Sequence, residues 1–362
     1  MSATIALALV VLIGAALLLT REVLSMRKRN SIAPPAASEP PARTPSLAPA
    51  EAEEGEDVDL TAIGSAPPRK ALPSLQLTEE DDEQSSRSEA ITLFEDQAEL
   101  DEPTSPSELF VVAAVAQSDT GKRRKRNEDS YLISDEHGLF LVADGMGGAA
   151  GGDIASKLAV TTVGEAFRAE RFPVKTVDQK RPVYALQFVS AIEAAHNAVV
   201  KRATDEPDLH GMGTTLVGAR FLRKKRRVYV AHVGDSRCYR LRDGALKLLT
   251  TDHTFTAKGM DGPMANRIRR AVGIGKRVKV DMVVDIPKPG DLYLLCSDGL
   301  NKMVDDESIR KTMLDSLPPA PDATALEAVA KRLVEEANAA GGRDNVTALV
   351  ARVIERPQHA RS

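Results

Sequence analysis

Five acidic side chains stand where apolar runs meet turns rich in Gly or Asn. They are Glu128 and Asp129 in Asn-Glu-Asp-Ser, Asp144 in Ala-Asp-Gly-Met-Gly-Gly, Asp298 in Cys-Ser-Asp-Gly-Leu and Asp344 in Gly-Arg-Asp-Asn-Val-Thr. Strand ends deliver side chains to the rim of a sheet, where a site can form. Carboxylates gathered at one rim repel one another unless a cation neutralises them. Hard oxygen donors of this kind suit Mg²⁺ or Mn²⁺ and not zinc. Two such ions about 3.5–4 Å apart would share a water, lower its pKa and clamp a phosphoryl oxygen. Gly145, directly after Asp144, lets the backbone approach a bound ion. A single Asp-Gly is an ordinary turn; four turns of this type in one stretch of chain point to shared chemistry.

The elements that must position these residues are short. Apolar runs predict strands at 110–116, 130–134, 139–143, 214–221, 227–233, 237–241, 245–249, 292–296 and 346–353. Asp243-Gly244 marks a tight hairpin between two of them. Helical periodicity fits 153–169, 182–203 and 323–339, the last with Asp322 placed to cap it and Gly341 to stop it. Helices fall in pairs between groups of strands, not singly after each strand. That pattern predicts an antiparallel, layered α+β arrangement and argues against a doubly wound sheet.

The chain has 362 residues and a formal net charge of −4, which conceals three unlike segments. Residues 1–30 carry an uncharged run from Ala3 to Leu19 followed by Arg27-Lys28-Arg29. A helix over about residues 3–24 is expected to anchor the chain as a single-pass segment of the cell (inner) membrane, with everything after it cytoplasmic by the positive-inside rule. Residues 31–107 hold 18 acidic and 4 basic side chains among many Pro, Ala and Ser. This composition predicts a disordered acidic linker, interrupted by two small apolar islands at 72–77 and 91–100. Residues 108–355 form the expected globular domain, and 356–362 a tail. The charge balance excludes a generally basic nucleic-acid binder. Two cysteines exclude a disulfide scaffold and a cysteine-based zinc site.

Taken in order, Thr120-Gly121-Lys122-Arg123-Arg124 leading into Asn127-Glu128-Asp129-Ser130, Ala143-Asp144-Gly145-Met146-Gly147-Gly148, Gly211-Met212-Gly213-Thr214-Thr215, Val233-Gly234-Asp235-Ser236-Arg237, Ser297-Asp298-Gly299-Leu300 and Gly342-Arg343-Asp344-Asn345-Val346-Thr347 resemble the metal-dependent Ser/Thr protein phosphatases of PPM type, also called type 2C, in their bacterial branch. The resemblance covers residues 110–354. It implies two packed antiparallel β-sheets flanked by pairs of α-helices, an α-β-β-α sandwich. It further implies two Mn²⁺ or Mg²⁺ ions bridged by Asp144, with the Gly145 carbonyl on one of them, through bound water or directly, and Glu128, Asp298 and Asp344 completing the second. Arg124 would grip the substrate phosphate, with Arg126 as its rival; Asp129 would order water at the metals, and Asn345 would support them from behind. A third, weaker metal is expected at Asp208 with Asp298 shared. The implied activity is hydrolysis of phosphoserine and phosphothreonine on proteins, in a monomeric catalytic domain opposing a bacterial-type Ser/Thr kinase. The alternative is an inactive phosphatase-fold sensor or scaffold.

Two departures from the family pattern stand out. Met146 occupies a position where some members carry a proton-donating His, leaving metal-bound water, or another residue such as His210, as the candidate donor. The stretch between His253 and Arg269-Arg270-Ala271-Val272-Gly273 is short, which predicts a trimmed flap. Gly145-Met146-Gly147-Gly148 imitates a dinucleotide-binding turn, but Asp144 would face the pyrophosphate with like charge. No Gly-Lys-Ser/Thr is present for a phosphate-binding loop. His137, His196 and His359 read as surface residues, while His232 and His253 read as structural. The basic run at 223–227 reads as a solvated hairpin tip or as an attractor for the acidic linker. Thr78-Glu79-Glu80-Asp81 offers a candidate phosphorylation site in that linker.

Overall fold

Strand Leu139–Met146 is apolar on both faces, as a strand enclosed between two layers must be. Leu139, Leu141 and Ala143 face one packed layer, and Phe140 and Val142 face another. The same alternation recurs in Leu292–Cys296: Leu292, Leu294 and Cys296 point one way, Tyr293 and Leu295 the other. Each period-2 run therefore commits the chain to a sheet covered on both sides.

The computed structural model describes residues 91–94, 105, 107–147, 151–172, 182–255, 267–316 and 323–356. The strands are β1 Ile91–Phe94, β2 Phe110–Asp119, β3 Asp129–Ser134, β4 Leu139–Met146, β5 Gly213–Thr214, β6 Leu216–Leu222, β7 Arg227–Val233, β8 Arg237–Arg242, β9 Ala245–Leu248, β10 Asp281–Asp285, β11 Leu292–Cys296 and β12 Val346–Glu355. The helices are α1 Gly151–Arg168, α2 Val183–Asp205, the short α3 Asp298–Asn301, α4 Asp306–Asp315 and α5 Ala323–Ala339. One sheet runs β1-β10-β7-β6-β4-β3, with β5 on β4; the other runs β2-β12-β11-β8-β9. Between them Phe140, Phe221, Tyr293 and Leu349 form the inter-sheet core. The first sheet packs its outer face on α1 and α2 through Val163, Phe167, Phe188 and Ile192. The second packs on α3, α4 and α5 through Leu300, Ile309, Met313 and Leu333. The architecture is the expected α-β-β-α sandwich. The predicted membrane helix lies outside the described residues, as do Asp322, His359, the linker apart from residues 91–94, 105 and 107, and the centre of the flap. Among the described residues no helix is long and apolar enough to cross a membrane.

Several local expectations hold with their physical reasons visible. Asp243 and Gly244 both take positive φ, which matches the twist of the two strands they join. Past α5, Gly341 and Gly342 both turn to positive φ, a conformation that ends the helix.

Other expectations are corrected. Residues 91–94 belong to an apolar island expected inside the disordered linker, yet their backbone pairs in parallel with β10, Ile91 opposite Asp281 and Phe94 opposite Val284. This is the one parallel pairing among the described strands; four residues without flanking turn signals carry too little pattern to announce it. His196 is not a surface residue: it is buried and accepts the Gly273 N–H on Nδ1 at 3.0 Å. The basic tip at 223–227 is partly engaged. Arg223 donates to the carbonyls of Asp135 and Glu136 and pairs with Glu108, while the N–H groups of Ser105 and Leu109 donate to the carbonyls of Lys224 and Arg223. The last residues of the acidic segment thus run along that tip.

Candidate metal centre

Antiparallel pairing collects the acidic turns at one rim. Asp129, the first residue of β3, lies opposite Asp144 near the end of β4. In the other sheet Asp119, ending β2, lies opposite Val346, starting β12, and Cys296, ending β11, lies opposite Ala348. Asp298 and Asp344 therefore leave the second sheet at the same end. The two sheets are joined at Asp129, whose Oδ2 accepts from the hydroxyls of Ser297 and Thr347, each at 2.7 Å.

The backbone around each carboxylate is fixed independently of its side chain. The Asp144 N–H donates to Thr215 Oγ1 at 3.0 Å, and its carbonyl accepts from Thr215 N and Thr214 Oγ1, both at 2.9 Å. The Glu128 carbonyl accepts from Gly145 N at 3.1 Å and Ser156 Oγ at 2.6 Å. A Cβ on Gly145 would sit 2.0 Å from the Gly152 carbonyl oxygen, and one on Gly152 would sit 2.8 Å from the Glu128 carboxyl carbon. These glycines let α1 start directly behind the acidic loop.

Asn345 ties the remaining pieces together. Its Oδ1 accepts the Glu128 N–H at 2.9 Å, and its Nδ2 donates to the carbonyls of Thr120 and Arg126 at 2.9 and 2.8 Å. The loop carrying Arg124 and Glu128 is thereby clamped to the start of β12. Arg124 reaches Asp344 Oδ2 with Nη2 at 2.7 Å while half of its side chain remains exposed. Its guanidinium is the foremost charge opposing the upward push that burial gives Glu128, ahead of Arg126.

The electrostatics are those of a site built for cations. Burial, and then the charges of Asp129, Asp298, Asp235 and Asp344, hold the Asp144 carboxyl well above the usual range. Burial raises Asp129 to about 7 against the pull of the Thr347 and Ser297 hydroxyls. Asp235 is raised to about 6, by burial and by Asp298. Three buried carboxylate oxygens, Asp129 Oδ1, Asp235 Oδ1 and Asp298 Oδ1, have no hydrogen-bond partner among the described residues. Unpartnered buried carboxylate oxygens are costly, and they are the donors that a hard divalent ion requires. The residues present fit Mn²⁺ or Mg²⁺.

Asp235 is the member of this group that has no role in the sequence expectations. Its motif, Gly-Asp-Ser-Arg, is visible there, but nothing in sequence spacing sets it beside Asp298. Asp208 is not buried with this group. It is exposed on the 3₁₀ turn Pro207–Leu209, and the acidic residue the structure sets beside Asp298 is Asp235. His210 is likewise exposed, one residue beyond that turn.

A second cluster, His232, His253 and Asp281, has potential ligand atoms within 4.8 Å of one another. A positive charge already fills it. Arg270 Nη1 donates to Asp281 Oδ1 at 2.9 Å and lies 3.1 Å from His253 Nε2. His253 takes the Gly234 N–H on Nδ1 at 3.1 Å, which leaves the proton on Nε2, facing Asp281 Oδ2 at 3.0 Å. Burial, then His253, push His232 down to about 4, so it is neutral and donates from Nε2 to the Thr251 carbonyl. Burial pushes Asp281 upward, but His253 and Arg270 outweigh it and hold it at about 2. The cluster is a clasp that fastens both roots of the flap to β10.

The raised carboxylates make the metal-stripped protein sensitive to base. The folded-state values of about 7 for Asp129 and about 6 for Asp235 exceed the ordinary carboxylate value of about 4. The folded state therefore holds protons that the unfolded chain releases. The associated stability is complete below about pH 4 and is lost as pH rises through 6 to 7. Metal-stripped protein is expected to melt lower at pH 8 than at pH 5, and added Mn²⁺ to raise the melting temperature more at pH 8. Thermal melts at both pH values test this; a stripped protein that gains stability between pH 5 and 8 contradicts it.

A two-sheet sandwich with an acidic rim of this composition is the build of one class of metal-dependent enzymes. The chain belongs to the protein phosphatase 2C family, whose model matches residues 120–336. Among curated proteins, the serine/threonine protein phosphatase PstP of Mycobacterium tuberculosis is 35% identical over 259 residues, a match covering 68% of this chain and 46% of PstP. The chain thus spans about half the length of that relative. The serine/threonine phosphatase stp of Listeria welshimeri is 33% identical over 247 residues, covering 64% of this chain and 92% of stp. Among solved structures, the catalytic domain of PstP in complex with two manganese ions is 34% identical, with a TM-score of 0.56, over 68% of this chain and all of that one.

Proposed function

We propose that the chain is a protein-serine/threonine phosphatase that hydrolyses phosphoserine and phosphothreonine with two Mn²⁺ or Mg²⁺ ions. The observation that carries this reading is the convergence on Asp144 of the charges of Asp129, Asp298 and Asp344, with Asp129 Oδ1 and Asp298 Oδ1 buried and without a hydrogen-bond partner among the described residues. Asp144, Glu128, Asp298, Asp344 and the Gly145 carbonyl would hold the ions. Bound there, such ions polarise a phosphoryl oxygen and acidify water.

The chain's own residues supply the rest. Arg124, half-exposed at its tip, presents a planar fork suited to two phosphate oxygens. Asp129, fixed by Ser297 and Thr347, keeps one oxygen free to accept a hydrogen bond from water. Asn345 holds the Arg124 loop at constant distance from Asp344. Met146 cannot protonate the departing alkoxide, so that proton comes from solvent or from a neighbour such as His210.

The remainder of the reading rests on the sequence. The apolar run at 3–24 and its basic flank support an anchor in the inner membrane with the catalytic domain cytoplasmic. The acidic composition of the following segment supports a tether to the folded part. Phosphoproteins are the substrates, and a Ser/Thr kinase is the natural opponent.

The test is release of phosphate from a phosphothreonine peptide by the full-length chain with and without Mn²⁺. Turnover that requires Mn²⁺ and stops with EDTA is expected. No turnover would favour the inactive sensor or scaffold; turnover indifferent to EDTA would overturn the metal reading.

A further inference from the structure

Asp235 and Asp298 are both buried, and the antiparallel pairing of β8 with β11, Arg237 opposite Cys296, brings the two turns that carry them together. A positive group enters between them. Lys302 follows α3 one turn after Asp298, and its Nζ pairs with Asp298 Oδ2 and with Asp235 Oδ2, the latter at 3.3 Å. Asp298 Oδ1 and Asp235 Oδ1 are left buried without partners among the described residues.

We propose that Lys302 is a tethered cation. It neutralises the Asp235–Asp298 pair, holds Asp298 by one oxygen so that the other faces the metals, and occupies the place in which a third divalent ion would otherwise bind.

The physical argument is one of charge and space. Two adjacent buried carboxylates require a compensating cation. An ammonium carried on the same helical turn costs no association entropy and cannot diffuse away. A divalent ion seeking both carboxylates would have to displace that ammonium and then sit against it, with like-charge repulsion acting at close range. Lys302 is a positioning residue and not a catalytic one: its side chain touches two carboxylates, not the reacting phosphate.

This inference rests on the two-metal reading above, and binding stoichiometry separates the two. Full-length chain is purified in mild detergent, stripped with EDTA, and titrated with Mn²⁺ up to millimolar free concentration. Bound Mn²⁺ is counted by elemental analysis, with calorimetry to resolve the steps. The wild type is expected to take up two ions per chain. Lys302→Asp and Lys302→Gln are each expected to take up three, the additional one binding at least tenfold more weakly than the first two. Three ions in the wild type would overturn the lysine's role alone, and none would overturn the two-metal reading. Two ions in a folded Lys302→Asp, checked by circular dichroism, would also overturn the lysine's role. Should that variant fail to fold, Lys302→Gln decides alone: three ions support the proposal and two refute it.

Discussion

Asp144→Asn is expected to lower kcat/KM on a phosphothreonine peptide by at least a thousandfold, about 4 kcal/mol of transition-state stabilisation. The substitution removes the carboxylate on which the charges of Asp129, Asp298, Asp235 and Asp344 all act, while keeping its shape. Its backbone is held by Thr214 and Thr215 and not by its side chain, so the fold should persist. The companion result has the opposite sign. Without metal, Asp144 is an ionisable group under burial and like-charge stress, and a neutral amide relieves that stress. Metal-free Asp144→Asn should therefore melt at or above the wild type at pH 8, while the stabilisation given by Mn²⁺ shrinks or vanishes. Steady-state kinetics and thermal melts with and without Mn²⁺ check both halves. A variant within tenfold of wild-type activity would remove Asp144 from the centre of the mechanism.

Arg124→Ala should cost about a hundredfold in kcat/KM, ~2.7 kcal/mol, with two Mn²⁺ still bound. A charge-assisted fork on a phosphate has this order of strength once solvent is excluded. Stability should hardly change, because the Arg124–Asp344 pair is half-exposed and such pairs contribute little. Arg124→Lys should recover part of the loss, since it restores charge without the planar geometry. Competitive inhibition by inorganic phosphate should weaken in parallel with the loss of kcat/KM. Undiminished phosphate inhibition in Arg124→Ala would exclude its role as the phosphate grip.

Much of the site is visible in residue order. Glu128, Asp129, Asp144, Asp298, Asp344 and Asn345 are all marked by their turns, and the structure gathers them at one rim. The strands that carry them are legible for the same reason: fully apolar runs such as Leu139–Ala143 and Leu292–Cys296 have few alternatives to a buried strand. What the turns do not reveal is adjacency between motifs. Asp235 lies 63 positions before Asp298 in the chain, and only the antiparallel pairing of β8 with β11, Arg237 opposite Cys296, makes them neighbours. Asp208 looks suitable by its closeness to Gly211-Met212-Gly213, yet it projects from an exposed turn.

The short and weakly patterned elements are hidden in the sequence for a related reason. β1 and β10 have four and five residues, too few for periodicity to separate strand from loop. α4 is short and mostly polar, and its cap, Asp305 accepting from the Ser308 N–H at 2.9 Å, shows only once the turn has formed. His196 illustrates the opposite error: a polar residue in an otherwise regular helix reads as surface, whereas it is buried to receive the N–H of Gly273.

By itself, then, the sequence determined the layered fold class, the order of the acidic turns and the kind of ion they suit, because local pattern and side-chain chemistry decide these. It also determined the unlike charges of the three segments hidden within the net −4. Only the tertiary structure decided which carboxylates share one electrostatic environment, that Arg270 already fills the His232–His253–Asp281 cluster, and that an ammonium stands between Asp235 and Asp298. Those are questions of distance across the sheets, and Coulomb energy and desolvation act through space without regard to position along the chain.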